Sequence, residues 1–215
     1  MADPNVWVTL LTVGATAFGT LAVTYFGSWL ALGRETKLKK EDRDRHAAYL
    51  AVRIVAVLDP FVYACCDVVA DKGSSDAEGY RHSDVNAPEL AFPADVNWKS
   101  IDSGLMYRIL TLPNEIASAR QSMGFVGQHI ACPPDYEEWY EERAFQFGTL
   151  GIAALDLATE LRGKFGIPMR DYSRYDPRPV LERAFAEREK MLKQSAANTK
   201  RIIAAARKKK AKGSA

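Results

Sequence analysis

Residues 105–130 read LMYRILTLPNEIASARQSMGFVGQHI, and their spacing decides the fold class. Leu105, Ile109, Leu112, Ile116, Ala119, Met123, Val126 and Ile130 recur at alternating steps of 4 and 3 residues. That rhythm places all eight on one stripe of an α-helix, a seam made for packing against other helices. The expected helix covers residues 98–130, with Asp95 as a plausible cap and a kink at Pro113.

Working toward the C-terminus, Pro133 and Pro134 break the chain. The acids Asp135, Glu137 and Glu138 then suit the positive end of a new helix dipole. This helix is expected to run to Phe165, where Gly166 and Pro168 stop it. Its stripe is Tyr140, Ala144, Phe147, Gly151, Ala154, Ala158, Leu161 and Phe165, and the small residues in the middle predict close approach of a neighbour. A loop, 166–179, leads to a last helix over Val180–Ala206, with Leu181, Phe185, Leu192, Thr199 and Ile203 on one face.

Working toward the N-terminus, Asp71–Asn97 is rich in Gly, Ser and Pro and reads as a long irregular segment. Before it, Lys37–Ala70 reads as a helix with Ile54, Leu58, Phe61, Cys65 and Val68 on one face and Pro60 as a kink. A second membrane crossing over 47–70 is disfavoured, because Arg53, Asp59 and Asp67 would each cost about 2.5–3.5 kcal/mol at mid-bilayer. No strand alternation and no internal repeat is present.

The chain opens with Val6–Leu32, a run without a single Asp, Glu, Lys, Arg or His. About 20 apolar residues suffice for a helix to cross a bilayer, so this run reads as an uncleaved transmembrane anchor. Trp7 and Trp29 near its ends suit the interfaces. The basic residues Arg34, Lys37, Lys39, Lys40, Arg43 and Arg45 follow it, which places the N-terminus outside and the body in the cytoplasm. The pair Ala15 and Gly19 matches a close-packing motif that ordinary membrane-helix glycine usage also explains.

The net charge of +2 conceals a polarity along the chain. The last residues carry +7, the segment 34–45 carries +2 and Asp3 carries −1, which leaves −6 for His46–Thr199. An acidic body argues against nucleic acid as the partner. Cys65, Cys66 and Cys132 are odd in number and form no disulfide framework. His129 and Cys132 have ligand-like spacing without the further ligands that zinc needs. Glu137, Glu138, Glu141 and Glu142 lack the Glu-x-x-His pairs of di-iron bundles and read as a solvated face. Phosphate loops, nucleophile elbows and dinucleotide fingerprints are absent.

The expected protein is therefore all-α and non-catalytic, without metal or cofactor. Its parts are an anchor over 1–35, an antiparallel bundle of about four helices over 36–206 and a basic flexible tail over 207–215. If the helices alternate in direction, the loops 71–97 and 166–179 meet at the end far from the membrane. Tyr80, Arg81, His82, Phe92, Trp98, Arg170, Tyr172, Arg174 and Tyr175 would then gather as a partner-binding tip. Arg207, Lys208, Lys209, Lys210 and Lys212 would return to anionic lipid at the inner leaflet. The corresponding function is a single-pass membrane tether, scaffold or assembly subunit that binds lipid and a protein partner or a second copy of itself. A membrane-active effector or channel component is the alternative, and a membrane-bound enzyme with an unrecognised site is a third.

Overall fold

The computed structural model describes the backbone of residues 4–212 and the side chains of residues 34–201 and Ile203. Four helices account for most of it: α1 (Pro4–Ala70), α2 (Ser103–His129), α3 (Glu137–Phe165) and α4 (Pro177–Lys212). Two-residue strands β1 (Ser74–Ser75) and β2 (Arg81–His82) pair antiparallel. A 3₁₀ turn covers Trp98–Ser100. The chain divides into two units, residues 1–47 and 48–215. In the first, the described side chains of residues 34–46 are exposed, and Glu35 and Lys39 form an ion pair at 2.7 Å.

The second unit is built around α3. Tyr140, Phe147, Gly151, Ala154, Ala158 and Leu161 of the expected stripe are buried, and so are Leu150, Leu155 and Leu157 outside it. A helix buried on more than one face has more than one neighbour. The pairings give their directions. Against α1, Arg162 meets Asp59, Gly151 lies beside Cys65 and Gly148 beside Val69. Against α2, Lys164 meets Asp102, Arg108 meets Glu160, and Ser122 donates to Glu142. Against α4, Asp156 meets Arg178, Gly151 lies beside Leu181, and Glu142 meets Arg188. In each series the partner's numbers rise as those of α3 fall, so α1, α2 and α4 all run antiparallel to α3.

It follows that α1 and α2 run parallel, which corrects the expected alternation of directions. Parallel neighbours need a crossover, and residues 71–102 supply it. The Arg81 amide donates to Pro134 O near the start of α3, Arg120 midway along α2 donates to Pro88 O, and Asp95 accepts from Arg53. The segment thus descends the side of the bundle instead of closing one end. About 32 residues at roughly 3.3 Å each are ample to span a helix of about 40 Å.

Local signals explain the helix ends. Asp102, not Asp95, caps α2: its carboxylate accepts from the Leu105 amide at 2.9 Å. Asp95 is occupied by Arg53. Gly166 ends α3 in the left-handed region at φ 64°, and its N–H donates to Arg162 O. Asp176 accepts from the Arg178 amide at 3.0 Å, so α4 begins at Pro177, three residues before the expected start. Neither Pro60 nor Pro113 interrupts its helix.

Among the described residues, no helix is long and apolar enough to cross a membrane. The expected localisation, a single-pass cell-membrane protein with its body in the cytoplasm, is therefore corrected. The side chains of the supposed anchor Val6–Leu32 lie outside the described residues, as do those of the expected lipid-binding set Arg207, Lys208, Lys209, Lys210 and Lys212.

Candidate functional site

The most organised polar cluster of the second unit lies where α3 ends and α4 begins. Asp59, on α1, uses a single carboxylate oxygen, Oδ2, to accept from two arginines. Arg162 Nη2 donates at 2.7 Å and Arg170 Nη1 at 2.9 Å. Arg162 comes from the last turn of α3 and is buried. Arg170 comes from the short segment 166–176 and stays 40% exposed. Its guanidinium carbon stands 4.6 Å from the ring centre of Tyr63, one α1 turn beyond Asp59. Tyr175 sets its ring 5.7 Å from the same Tyr63. The segment is held by its own turn, in which Asp171 accepts from the Ser173 amide and hydroxyl.

Burial works most strongly against the charge of Arg170, but the Asp59 hydrogen bond and charge together with the neighbouring Tyr63 and Tyr172 outweigh it, and the guanidinium lies above its ordinary value. Desolvation, then the neighbouring Cys66 thiol, pushes the Tyr175 phenol up to about 12. Burial also raises Tyr172. Cys66, whose thiol donates to Pro177 O at 3.7 Å, is raised above the ordinary thiol value chiefly by burial. A nucleophilic cysteine needs the opposite shift. The cluster is rich in arginine and tyrosine, and burial favours the protonated forms of Tyr172, Tyr175 and Cys66.

The residues expected to form one tip are distributed over the unit. Arg170, Tyr172 and Tyr175 do come together here, and Arg174 is exposed on the same segment. Tyr80 and Arg81 are at the opposite end of α3, where Arg81 lies 4.1 Å over the Tyr140 ring and also donates through Nε to Lys72 O. His82 there pairs with Asp76 at 2.6 Å. Phe92 and Trp98 meet edge to face at 6.2 Å, both half-buried. The single tip is thus corrected to separate places, because the crossover carries residues 71–97 along the bundle. Asp59, Tyr63 and Arg162 were not anticipated. Asp59 registers in the sequence only as a cost to membrane insertion, and Arg162 only as a cation suited to a helix C-terminus.

A second cluster anchors the opposite end. Arg143 donates to Asp71 at 2.8 Å and to Val85 O at 2.5 Å, with both side chains enclosed. Beside it lies a cavity of about 360 Å³, lined by Lys72, Arg81, Glu137, Tyr140, Glu141 and Glu187 among others. Burial, then the neighbouring Glu137 and Glu138, raises the Glu141 carboxyl. His129 stacks on Phe125 at 4.8 Å, and among the described residues no group of three or more His, Cys, Asp or Glu is placed to hold a metal.

A scan against protein-family models, a search of curated proteins and a search of solved structures each found no match.

Proposed function

We propose that this chain is a non-catalytic helical interaction protein, a scaffold or assembly subunit. Its partner surface is the end where α3 gives way to α4, made by Tyr63, Arg170, Tyr172, Arg174 and Tyr175. One observation carries the reading: Asp59 fixes two guanidinium groups while Tyr63 supports Arg170 from below, so the surface is organised before anything binds. Arginine and tyrosine are the residues that most often dominate interface energetics, and pre-ordering them lowers the entropy lost on association. Met169 and Tyr175 add exposed apolar area beside the cations. The partner is a protein, either another chain or a second copy of this one.

The test compares the two ends of the unit. Met169→Glu and Tyr175→Ala alter the proposed surface; Tyr80→Ala and Phe125→Ala alter exposed residues elsewhere. Sedimentation of the purified chain reads self-association, and co-purification from native extract reads a heterologous partner. The first pair of variants is expected to abolish whichever association the wild type shows, and the second pair to keep it. Loss confined to Tyr80→Ala or Phe125→Ala, or retention in all four, contradicts the proposal.

A further inference from the structure

The second half of α4 outruns the helix it packs on. Glu142 meets Arg188, so Glu137, the first residue of α3, lies level with Lys193 of the antiparallel α4. The helix nevertheless continues to Lys212, about 28 Å past the start of α3. Its described side chains from Leu192 to Arg201, and Ile203, are all exposed. Helices in water owe most of their stability to packing an apolar face, so a fully exposed run of this length calls for a surface.

Two properties of the projection point to that surface. After Glu189 the sequence has nine Lys or Arg and no Asp or Glu. Lys193 is paired with Glu189 at 2.5 Å, but among the described residues Lys200 and Arg201 have no ion-pair partner. The acids Glu137 and Glu138 do not cancel the remainder. They lie level with Lys193, and the run from Arg207 to Lys212 begins roughly 20 Å farther along the helix, well beyond the ~8 Å reach of an exposed charge at physiological salt. The second property is a largely apolar stripe. Leu192, Ala196, Thr199 and Ile203 step by 4, 3 and 4 residues, with Leu192 63% and Ile203 48% exposed. Lys193 and Lys200 each follow a member of the stripe and line one edge of it.

We propose that the second half of α4 docks lengthwise on an anionic lipid bilayer surface, with the stripe at headgroup level and the cations against the lipid anions. A bilayer matches both the charge and the apolar stripe, whereas nucleic acid matches only the charge. This surface lies at the opposite end of α3 from the partner surface, and its test reads separately.

The test is co-sedimentation of the full chain with vesicles of phosphatidylcholine alone or of phosphatidylcholine mixed with phosphatidylserine. Binding to the anionic vesicles is expected to be about a hundredfold tighter, a preference that shrinks in high salt. Because the preference is a ratio, apolar contacts made by other parts of the chain cancel from it. Lys200→Gln with Arg201→Gln is expected to reduce it by about tenfold or more, at about fivefold per cation. Lys99→Gln with Arg174→Gln removes two exposed cations outside α4 and is expected to change it by less than about threefold. Leu192→Ser with Ile203→Ser is expected to weaken binding to the anionic vesicles by about tenfold. Equal binding to both vesicle types overturns the proposal, as does an unchanged preference in Lys200→Gln, Arg201→Gln or an equal loss in the control pair. Anionic binding that survives Leu192→Ser, Ile203→Ser, with a DNA duplex bound by that variant as tightly as by the wild type, overturns the bilayer assignment. An oligomer of the chain alone that Leu192→Ser, Ile203→Ser dissolves assigns the stripe to a second copy and also overturns it.

Discussion

Replacing Arg143 with methionine should destabilise this fold by about 3–5 kcal/mol, the usual result of leaving one member of a buried ion pair alone. The geometry supports the upper part of the scale. The side chains of Arg143 and Asp71 are 3% and 2% exposed, and the ion-pair contact is 2.8 Å. The same guanidinium donates to Val85 O, which would lose that donor. Asp71 would keep its bonds from the Gly73, Asp84 and Val85 amides but lose its ion-pair partner among the described residues. For a chain of this length, 3–5 kcal/mol corresponds to a melting temperature lower by roughly 6–20 °C. Urea titration followed by far-UV circular dichroism measures it. The double variant Asp71→Leu, Arg143→Met should be less destabilised than the sum of the single variants, by about 1–3 kcal/mol. The pH dependence gives a second reading. Burial raises the Asp71 carboxyl, but the two amides and Arg143 outweigh it, so its folded pKa lies below the ordinary 3.8. Its contribution is therefore complete above the unfolded pKa and is lost as pH falls through the folded one. The gap between wild type and Arg143→Met should be largest at neutral pH and shrink as pH falls, first as the unpaired Asp71 of the variant, raised by burial without Arg143, takes up its proton, and it should close once Asp71 of the wild type is protonated too. A loss under about 1 kcal/mol at neutral pH would place the pair with ordinary surface bridges and refute the reasoning.

Three further outcomes are expected. A Cβ on Gly148 would lie 2.9 Å from Ala184 Cβ and 3.0 Å from Leu181 O, neither of which can rotate away, whereas one on Gly163 would meet nothing within 4 Å. Gly148→Ala should then cost up to about 2 kcal/mol and Gly163→Ala should gain up to about 1 kcal/mol, both read by urea titration. Leu181→Ala, at a fully buried position of α4, should cost about 2–5 kcal/mol, while Leu192→Ser, at an exposed position of the same helix, should cost less than about 0.5 kcal/mol by the same assay. Burial holds the Cys65 and Cys66 thiols above their ordinary value, and Cys132 is exposed, so a chromogenic disulfide reagent at pH 7.5 should label one thiol quickly and two only on unfolding.

The helices were readable because their signals are local. In α2, the stripe Leu105, Ile109, Leu112, Ile116, Ala119 and Met123 is buried throughout, and only its C-terminal members Val126 and Ile130 emerge. The small residues of α3 do mark a close approach, with Gly148 and Gly151 against Leu181. The α4 stripe was readable only in part. Leu181 is buried and Phe185 half-buried, but Leu192, Thr199 and Ile203 are exposed, because α4 runs on beyond the first turn of α3. A stripe in sequence does not say where the neighbouring helix stops. The path of residues 71–102 was not readable at all. It is held by pairs far apart in the chain, Asp71 with Arg143 and Asp95 with Arg53, and no periodicity announces such pairs. Asp95 was the expected cap, but Arg53 claims its carboxylate and Asp102 caps α2 instead. Since helix directions depend on that path, the expected tip failed with it. Arg170, Tyr172 and Tyr175 stayed together because one short segment carries all three.

The most direct test of a partner surface at the α3–α4 end is site-specific photo-crosslinking in native extract. A benzophenone side chain is placed at Met169, 64% exposed at that end, or at Phe125, 58% exposed near the end of α2. Discrete adducts from position 169, absent from position 125 and suppressed by Tyr175→Ala, are the expected result. Adducts from position 125 alone, or none from position 169, would contradict it.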